Sequence, residues 1–280
     1  MQLSDIVVIR GGGDIATGVI QKFYRSGFKI LVLEVEKPTA IRRNVALCEA
    51  VYTGSSKVED VSCKRISSLS ELATCYENDI VPVLVDPGGE IISNIKPAAV
   101  IDSILAKRNL GTHKQMAPVT IALGPGFRAG VDVDVVIETV RGHDLGRLIL
   151  EGHAKPNTGM PGEIGGKSTE RVIYAPIAGK VRQIRQIGEI VEAGEVVCEI
   201  VGKASEKMAK MTEVTEVTAV TTNFTGLLRG IIRELEVPKG MKIADIDPRL
   251  DINWQTISDK ARCLGGATLE AFLYMRSKVV

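Results

Sequence analysis

The chain opens on an apolar run over residues 6–9 that ends at Arg10 and three consecutive glycines, Gly11, Gly12 and Gly13. Ile15, Val19, Ile20 and Phe23 then recur at helical spacing as far as Gly27, so this stretch predicts a strand, a glycine turn and a helix. A second apolar run over residues 30–33 ends in Glu34. Residues 38–48 then read as a second helix, because proline suits a first helical turn. Short apolar runs over 81–85, 98–101 and 119–123, each closed by a polar or glycine turn signal, predict further buried strands of a parallel sheet. Val131, Val133, Val135 and Ile137 alternate with Asp132 and Asp134, a period of two that predicts a half-exposed strand at the sheet edge.

The pattern changes after Gly152, where Pro156, Asn157, Gly159, Pro161, Gly162, Gly165 and Gly166 crowd together without periodicity. Beyond it a weak repeat emerges: Gly179 and Gly194 answer to Gly226 and Gly240, each pair set among short Val/Ile-rich strands. The expected class is therefore α/β. A Rossmann-like parallel-sheet domain over 1–152 leads into a Gly/Pro-rich linker or ligand loop over 153–170. A small all-β barrel-sandwich hybrid of biotinyl/lipoyl hammerhead type follows over 171–250, and then a C-terminal helical segment over 251–280. That last helix carries Ala261, Leu264, Leu269, Phe272 and Leu273 on one face and is expected to be interrupted at Gly265 and Gly266.

A length of 280 residues agrees with two domains, against roughly 150 for one. The balance of 35 basic and 34 acidic residues removes any strong attraction to nucleic acid or to an acidic membrane. No basic, apolar leader opens the sequence and no run approaches the roughly 18 apolar residues that cross a bilayer, so a cytoplasmic protein is expected. Cys48, Cys63, Cys75, Cys198 and Cys263 are odd in number and widely spaced. They fit a reducing compartment and suggest neither a disulfide framework nor a metal site.

The sharpest chemical signal is Gly11-Gly12-Gly13-Asp14-Ile15-Ala16, which fits G-x-G-x-x-A between a predicted strand and helix. There Gly11 permits a tight turn, Gly13 lets a phosphate approach the backbone, and Ala16 lets the helix pack closely on the strand. The competing reading is a glycine turn with no ligand. Glu34, with Glu36 as the alternative, lies about 20 residues on, where an acid meets a ribose hydroxyl. Arg10, Arg42 and Arg43 add guanidinium groups that could grip a phosphate or simply line a solvated face. Gly124 and Gly126, in Leu123-Gly124-Pro125-Gly126-Phe127-Arg128, form a second backbone-lined loop after a strand. Arg141 and His143 follow soon after, His143 being a candidate for proton transfer or a structural histidine. Gly165-Gly166-Lys167-Ser168 is not a P-loop, since Pro161 stands where that motif needs glycine.

Two resemblances follow from these residues. Residues 175–181 and 188–195 resemble the first half of a biotinyl or lipoyl hammerhead, with Lys203, Lys207 and Lys210 near the hairpin where a carrier would be modified. Residues 9–18, 123–130, 138–143 and 245–249, together with 257–261 and 265–271, resemble the YqeB-like family of selenium-dependent molybdenum hydroxylase accessory proteins. Ser103 and Glu234 depart from that family's pattern. The resemblance implies maturation of molybdenum hydroxylases. The ligand would be molybdopterin cytosine dinucleotide or a related nucleotide, and the partner a client hydroxylase or a cofactor-biosynthesis protein. Cys48 or Cys263 would be the thiol that holds sulfur or selenium in transit, against the alternative of an inert buried thiol. An NAD(P)-dependent oxidoreductase and a lysine-modified carrier are the alternatives, and a homo-oligomer is left open.

Overall fold

A computed structural model describes residues 5–203 and 215–279. Its contacts divide the chain into two units. One comprises Met1–Pro38, Val45–Thr158 and Gln255–Val280, the other Thr39–Asn44 and Gly159–Trp254. The division expected from the sequence changes accordingly: the C-terminal helix belongs with the N-terminal unit, and residues 39–44 belong with the β unit.

In the first unit the strands are β1 (Ile6–Arg10), β2 (Lys29–Glu34), β3 (Ser55–Val58), β4 (Val61–Ile66), β5 (Ile80–Val85), β6 (Ala99–Asp102), β7 (Val119–Leu123), β8 (Arg128–Ala129), β9 (Val135–Ile137), β10 (Leu148–Ile149) and β11 (Gly152–His153). Nine of them form one sheet in the order β10-β9-β7-β6-β1-β2-β5-β4-β3, and β8 and β11 pair separately. The inner strands run parallel, while β3 and β10 pair antiparallel at the two edges. The helices are α1 (Asp14–Arg25), α2 (Ala50–Thr53), α3 (Leu72–Glu77), α4 (Ile92–Ile95) and α5 (Asp259–Val279).

One sheet face packs Val7, Ile9, Val32, Ile101 and Ile121 against α1 and α5 through Val19, Phe23, Leu264 and Phe272. Helices α1 and α5 meet at glycines. A Cβ at Gly18 would lie 2.3 Å from the Ala261 carbonyl oxygen, and one at Gly265 would lie 2.3 Å from the Gly18 oxygen. The helix expected to break at Gly265 and Gly266 therefore runs on as a single element, because glycine there permits close approach. The opposite sheet face packs Ile6, Val8, Leu31, Leu33 and Val100 against Leu72, Ile92 and Ile95.

The expected fold class is corrected by this topology. A Rossmann-like domain needs helical crossovers on both faces, but here α2, α3 and α4 are short turns, and the helix expected over 38–48 is absent. In its place residues Arg43–Val45 and Leu47–Glu49 form short 3₁₀ turns before α2. A β3–β4 hairpin intervenes before β5, and the segment over 131–137 forms only the buried β9, which is covered by β10 and is not an edge.

The second unit contains β12 (Val172–Tyr174), β13 (Gly179–Gln183), β14 (Ile190–Val191), β15 (Val196–Lys203), β16 (Thr215–Thr221), β17 (Gly226–Ile231), β18 (Glu236–Val237) and β19 (Lys242–Asp247). They form two antiparallel four-stranded sheets, β12-β19-β17-β14 and β16-β15-β13-β18, around Val181, Val197, Ile200, Leu228, Ile231 and Ile246. Strand β13 pairs with β15 and β18, and β17 pairs with β19 and β14, so each short strand joins the sheet of the other half. The outer strands are β12 and β14 in the first sheet and β16 and β18 in the second. Lys203 ends β15, and Lys207 and Lys210 lie outside the described residues. Glu234, which departs from the family pattern, accepts a hydrogen bond from the Gln183 backbone N–H at 3.0 Å.

Candidate functional site

The parallel strands of the first unit end together at one edge, where β1 delivers Arg10, β2 Glu34, β6 Asp102, β7 Leu123 and β9 Ile137. From β1 the chain moves outward on one side to β2, forms the β3–β4 hairpin at that edge and returns inward to β5. It then crosses to β6, on the other side of β1. Open α/β sheets bind ligands at such a reversal, which here lies between β1 and β6.

The glycine turn sits at this reversal, and much of its hydrogen-bonding capacity is already taken. Gly11 has φ +94° and donates to the Leu33 carbonyl at 2.8 Å; a Cβ there would press on Ser103 and Ile104. Gly12 N–H donates to Glu34 Oε2 at 2.8 Å, and its carbonyl accepts from Cys48 N at 2.8 Å. The Cys48 backbone thus lies over Gly12, with 3.1 Å between its N and where a Gly12 Cβ would stand. Glu34 also accepts from its neighbour Val35 N at 2.8 Å. Burial raises its carboxyl pKa, and the two backbone donors only partly oppose that. The acid expected to meet a ribose is therefore engaged with its own chain.

Gly13 forms the N-cap of α1 and supplies no side-chain cap. The space a Gly13 Cβ would take is open, with nothing within 4 Å. Asp14 lies in the first turn of α1 and Ala16 is buried beneath it. The first N–H groups of a helix have no partner within it, and they favour negative charge.

Arg10 is 1% exposed and points to the other sheet face. It donates to Thr112 Oγ1 at 2.6 Å and to the Pro87 carbonyl at 2.8 Å, and Thr112 in turn donates to Asp102 at 2.6 Å. Asp102 is the register partner of Arg10, and burial raises its pKa. This guanidinium braces β1 against β6.

Ser103, directly after β6, was not among the binding candidates. Its N–H continues the ladder to the Arg10 carbonyl at 2.8 Å, so strand alternation puts its side chain on the same face as Ile101 and α1. It is 3% exposed, and its hydroxyl has no hydrogen-bond partner among the described residues. Buried hydroxyls are normally partnered.

Farther along the edge, Gly124 (φ +80°) packs against Thr139 and Gly126 (φ +111°) against the Arg108 backbone, so both have structural reasons to be glycine. Glu138, 3% exposed, accepts from the backbone N–H groups of Thr139 (2.7 Å), Val140 (2.8 Å) and Lys155 (2.8 Å). Arg141 forms a two-pronged pair with Asp259 at the start of α5, at 2.9 and 3.2 Å. The next residue, Lys260, has its ammonium pKa lowered by burial first and by Arg141 second, while Asp14, Asp259 and Glu138 pull it back up. His143 is exposed beside Asp144. Arg42 and Arg43 belong to the second unit, where Arg43 Nε donates to the Ile231 carbonyl at 2.8 Å.

In the second unit the motif over 245–249 is an ion-pair network. Arg171 meets Asp245 at 3.0 Å, and Arg229 and Arg249 meet Asp247 at 3.0 and 2.8 Å. Cys48, Cys63, Cys75 and Cys198 are buried, and burial pushes the Cys48 thiol well up. A thiol held protonated is a poor nucleophile, so Cys48 makes an inert thiol, whereas Cys263 is exposed. Among the described residues no group of three or more His, Cys, Asp or Glu side chains could hold a metal ion, and no helix is long and apolar enough to cross a membrane.

The fold and this edge define an α/β protein with a β unit inserted between its segments. No protein-family model matches the chain. It is 46% identical over 272 residues to the uncharacterized protein YqeB of Escherichia coli (strain K12), covering 96% of this chain and 48% of that one. The chain is thus a relative of YqeB and spans about half of that protein's length. Solved structures similar to it include an aspartoacylase family protein from Mesorhizobium loti (12% identity, 86% of this chain and 84% of that one, TM-score 0.27). Another is the product-bound ectoine utilization protein EutE from Ruegeria pomeroyi (8%, 81% and 61%, TM-score 0.25). A third is a succinylglutamate desuccinylase from Silicibacter sp. TM1040 (9%, 87% and 84%, TM-score 0.23).

The geometry corrects the expected dinucleotide site, because Glu34 and Cys48 occupy the Gly12 amide and carbonyl that a pyrophosphate cradle would leave free. The YqeB relationship assigns no activity, so the maturation role, the nicotinamide oxidoreductase and the lysine-modified carrier expected from the sequence are not carried forward.

Proposed function

We propose that the first unit binds a small oxyanion, a carboxylate or phosphate monoester, at the β1/β6 reversal beside the N-terminus of α1. The observation that carries this reading is the buried, unpartnered Ser103 hydroxyl on the face of the sheet that α1 covers. An oxyanion accepts from that hydroxyl, and the dipole at the start of α1 favours its charge. Lys260 supports the reading. Its ammonium is partly buried near the Arg141 guanidinium, and the charge of a bound anion would offset both penalties. The Glu34–Gly12 and Cys48–Gly12 contacts restrict the ligand to one smaller than a dinucleotide.

The test is unfolding of the full chain while inorganic phosphate or succinate is titrated against chloride at constant ionic strength. A site that binds only the folded state stabilises it by about 2.7 kcal/mol at a hundredfold excess over Kd. Loss of one hydrogen bond to a charged group, as in Ser103→Ala, weakens binding roughly tenfold. Lys260→Gln weakens it as well. Equal effects of chloride and the oxyanions, or unchanged affinity in Ser103→Ala, would overturn the reading.

A further inference from the structure

At the opposite edge of the same sheet, where β2 and β5 begin, lies a half-open cavity of about 170 Å³. Tyr24, Phe28 and Tyr76 line it, together with Gly27, Ile30 and Val81. Three rings around one small cavity is a marked concentration in a chain with only 4% aromatic residues. The phenols are oriented from within: Tyr76 donates to the Ile30 carbonyl at 3.0 Å and Tyr24 to the Asp79 carbonyl at 3.4 Å. Their ring surfaces are therefore presented by fixed side chains, and a cavity of this size has room for one benzene-sized ring.

Lys29 lies at the same cavity. The residue is half-buried, and its ammonium sits 5.9 Å from the centre of the Tyr76 ring; Asp79 also lines the cavity, but among the described residues no carboxylate is within ion-pair distance of Lys29. A cation held over a ring beside an aromatic-lined cavity offers two complementary features, a stacking surface and an unmatched positive charge. Asp79, on the exposed rim with φ +54°, has its carbonyl turned to Tyr24.

We infer that this cavity is a second binding site of the first unit, for a small arene bearing a carboxylate. The ring lies among Tyr24, Phe28 and Tyr76, and the carboxylate meets Lys29. The site is independent of the oxyanion site, because it is built at the amino ends of the strands from other residues.

The experiment is calorimetric titration of the full chain with 3-phenylpropanoate, with its cationic counterpart phenethylamine, and with the non-aromatic anion propanoate. Saturable binding of 3-phenylpropanoate is expected, at least tenfold tighter than either comparison compound. Lys29→Met should weaken it at least tenfold and Lys29→Arg should retain most of it, with circular dichroism confirming that both variants are folded. Tyr76→Leu should weaken it as well, and Ser103→Ala should leave it unchanged. Three outcomes overturn the inference: no saturable binding, phenethylamine binding as tightly as the acid, or loss of binding in Ser103→Ala instead of Lys29→Met. Because the oxyanion site would also take a carboxylate, these titrations are run in saturating inorganic phosphate, and a failure of that site shows in the phosphate titration alone.

Discussion

Adjacent glycines in α5 should respond to alanine with opposite signs. At Gly18 and Gly265 an added Cβ would stand 2.3 Å from a backbone oxygen of the facing helix, against the roughly 3.5 Å of ordinary contact. Backbone cannot rotate aside as a side chain can, so α1 and α5 must separate by about 1 Å. A gap of that size forfeits about a quarter to a half of the dispersion energy of the contacts it opens, here those of Val19, Phe23, Ala261 and Phe272. Overpacking costs about 3 kcal/mol at the upper end of its usual range, and alanine returns about 1 kcal/mol of helix propensity. The net expectation for Gly18→Ala or Gly265→Ala is about 2 kcal/mol of destabilisation. Gly266 has nothing within 4 Å of its missing Cβ, so Gly266→Ala should add about 1 kcal/mol of stability. Urea denaturation followed by far-ultraviolet circular dichroism reads this directly, since the two long helices lie in the first unit. Fluorescence of Trp254, the chain's one tryptophan, reports on the second unit instead. If Gly265→Ala unfolds at the same or higher urea than Gly266→Ala, the close helix contact is wrong.

Two other perturbations test the edges of the first unit. Glu138→Ala leaves three backbone N–H groups without their buried acceptor and should cost roughly 3 kcal/mol. Faster amide exchange confined to residues 139–155 would check it, and protection equal to wild type would count against the role given to Glu138. Asp60 is held at about 2, first by its hydrogen bonds from Arg25, below the roughly 3.9 of an unfolded aspartate. A depressed carboxyl contributes stability that is present above the unfolded value and lost as pH falls through about 2. Both side chains are more than a third exposed, so Asp60→Asn should cost less than about 1 kcal/mol at pH 7. The difference from wild type should vanish near pH 2, and a constant difference across the range would contradict the assignment.

The strands that end in a glycine or an acid were legible because a buried parallel strand is a continuous apolar run, as in β1, β2 and β7. The β3–β4 hairpin was not. Its turn at Glu59 adopts φ +52° without a glycine, so no turn signal marks it. Pro38 suggested a helix that does not form. Residues 47–48 are drawn instead to the glycine turn, where Leu47 N donates to Thr17 Oγ1 at 3.0 Å and Cys48 N to Gly12. Gly265 and Gly266 looked like a break because a lone sequence does not display the helix that Gly265 touches. For the site, Gly11 and Gly13 were visible as a motif. Ser103 and Lys260, far from them in sequence, come to the same region only through the β5-to-β6 crossover and the return of α5.

The α1–α5 contact also bears on how the protein is made. The face of α1 that carries Gly18 and Phe23 leaves the ribosome roughly 230 residues before α5 does, a delay of about 10–50 s at ordinary elongation rates. For that interval the nascent sheet displays Val7, Ile9 and Ile101 with only half of its helical cover, while the whole inserted β unit is synthesised. The growing chain is then exposed to aggregation and to chaperone capture, and its first unit is sealed only when α5 emerges.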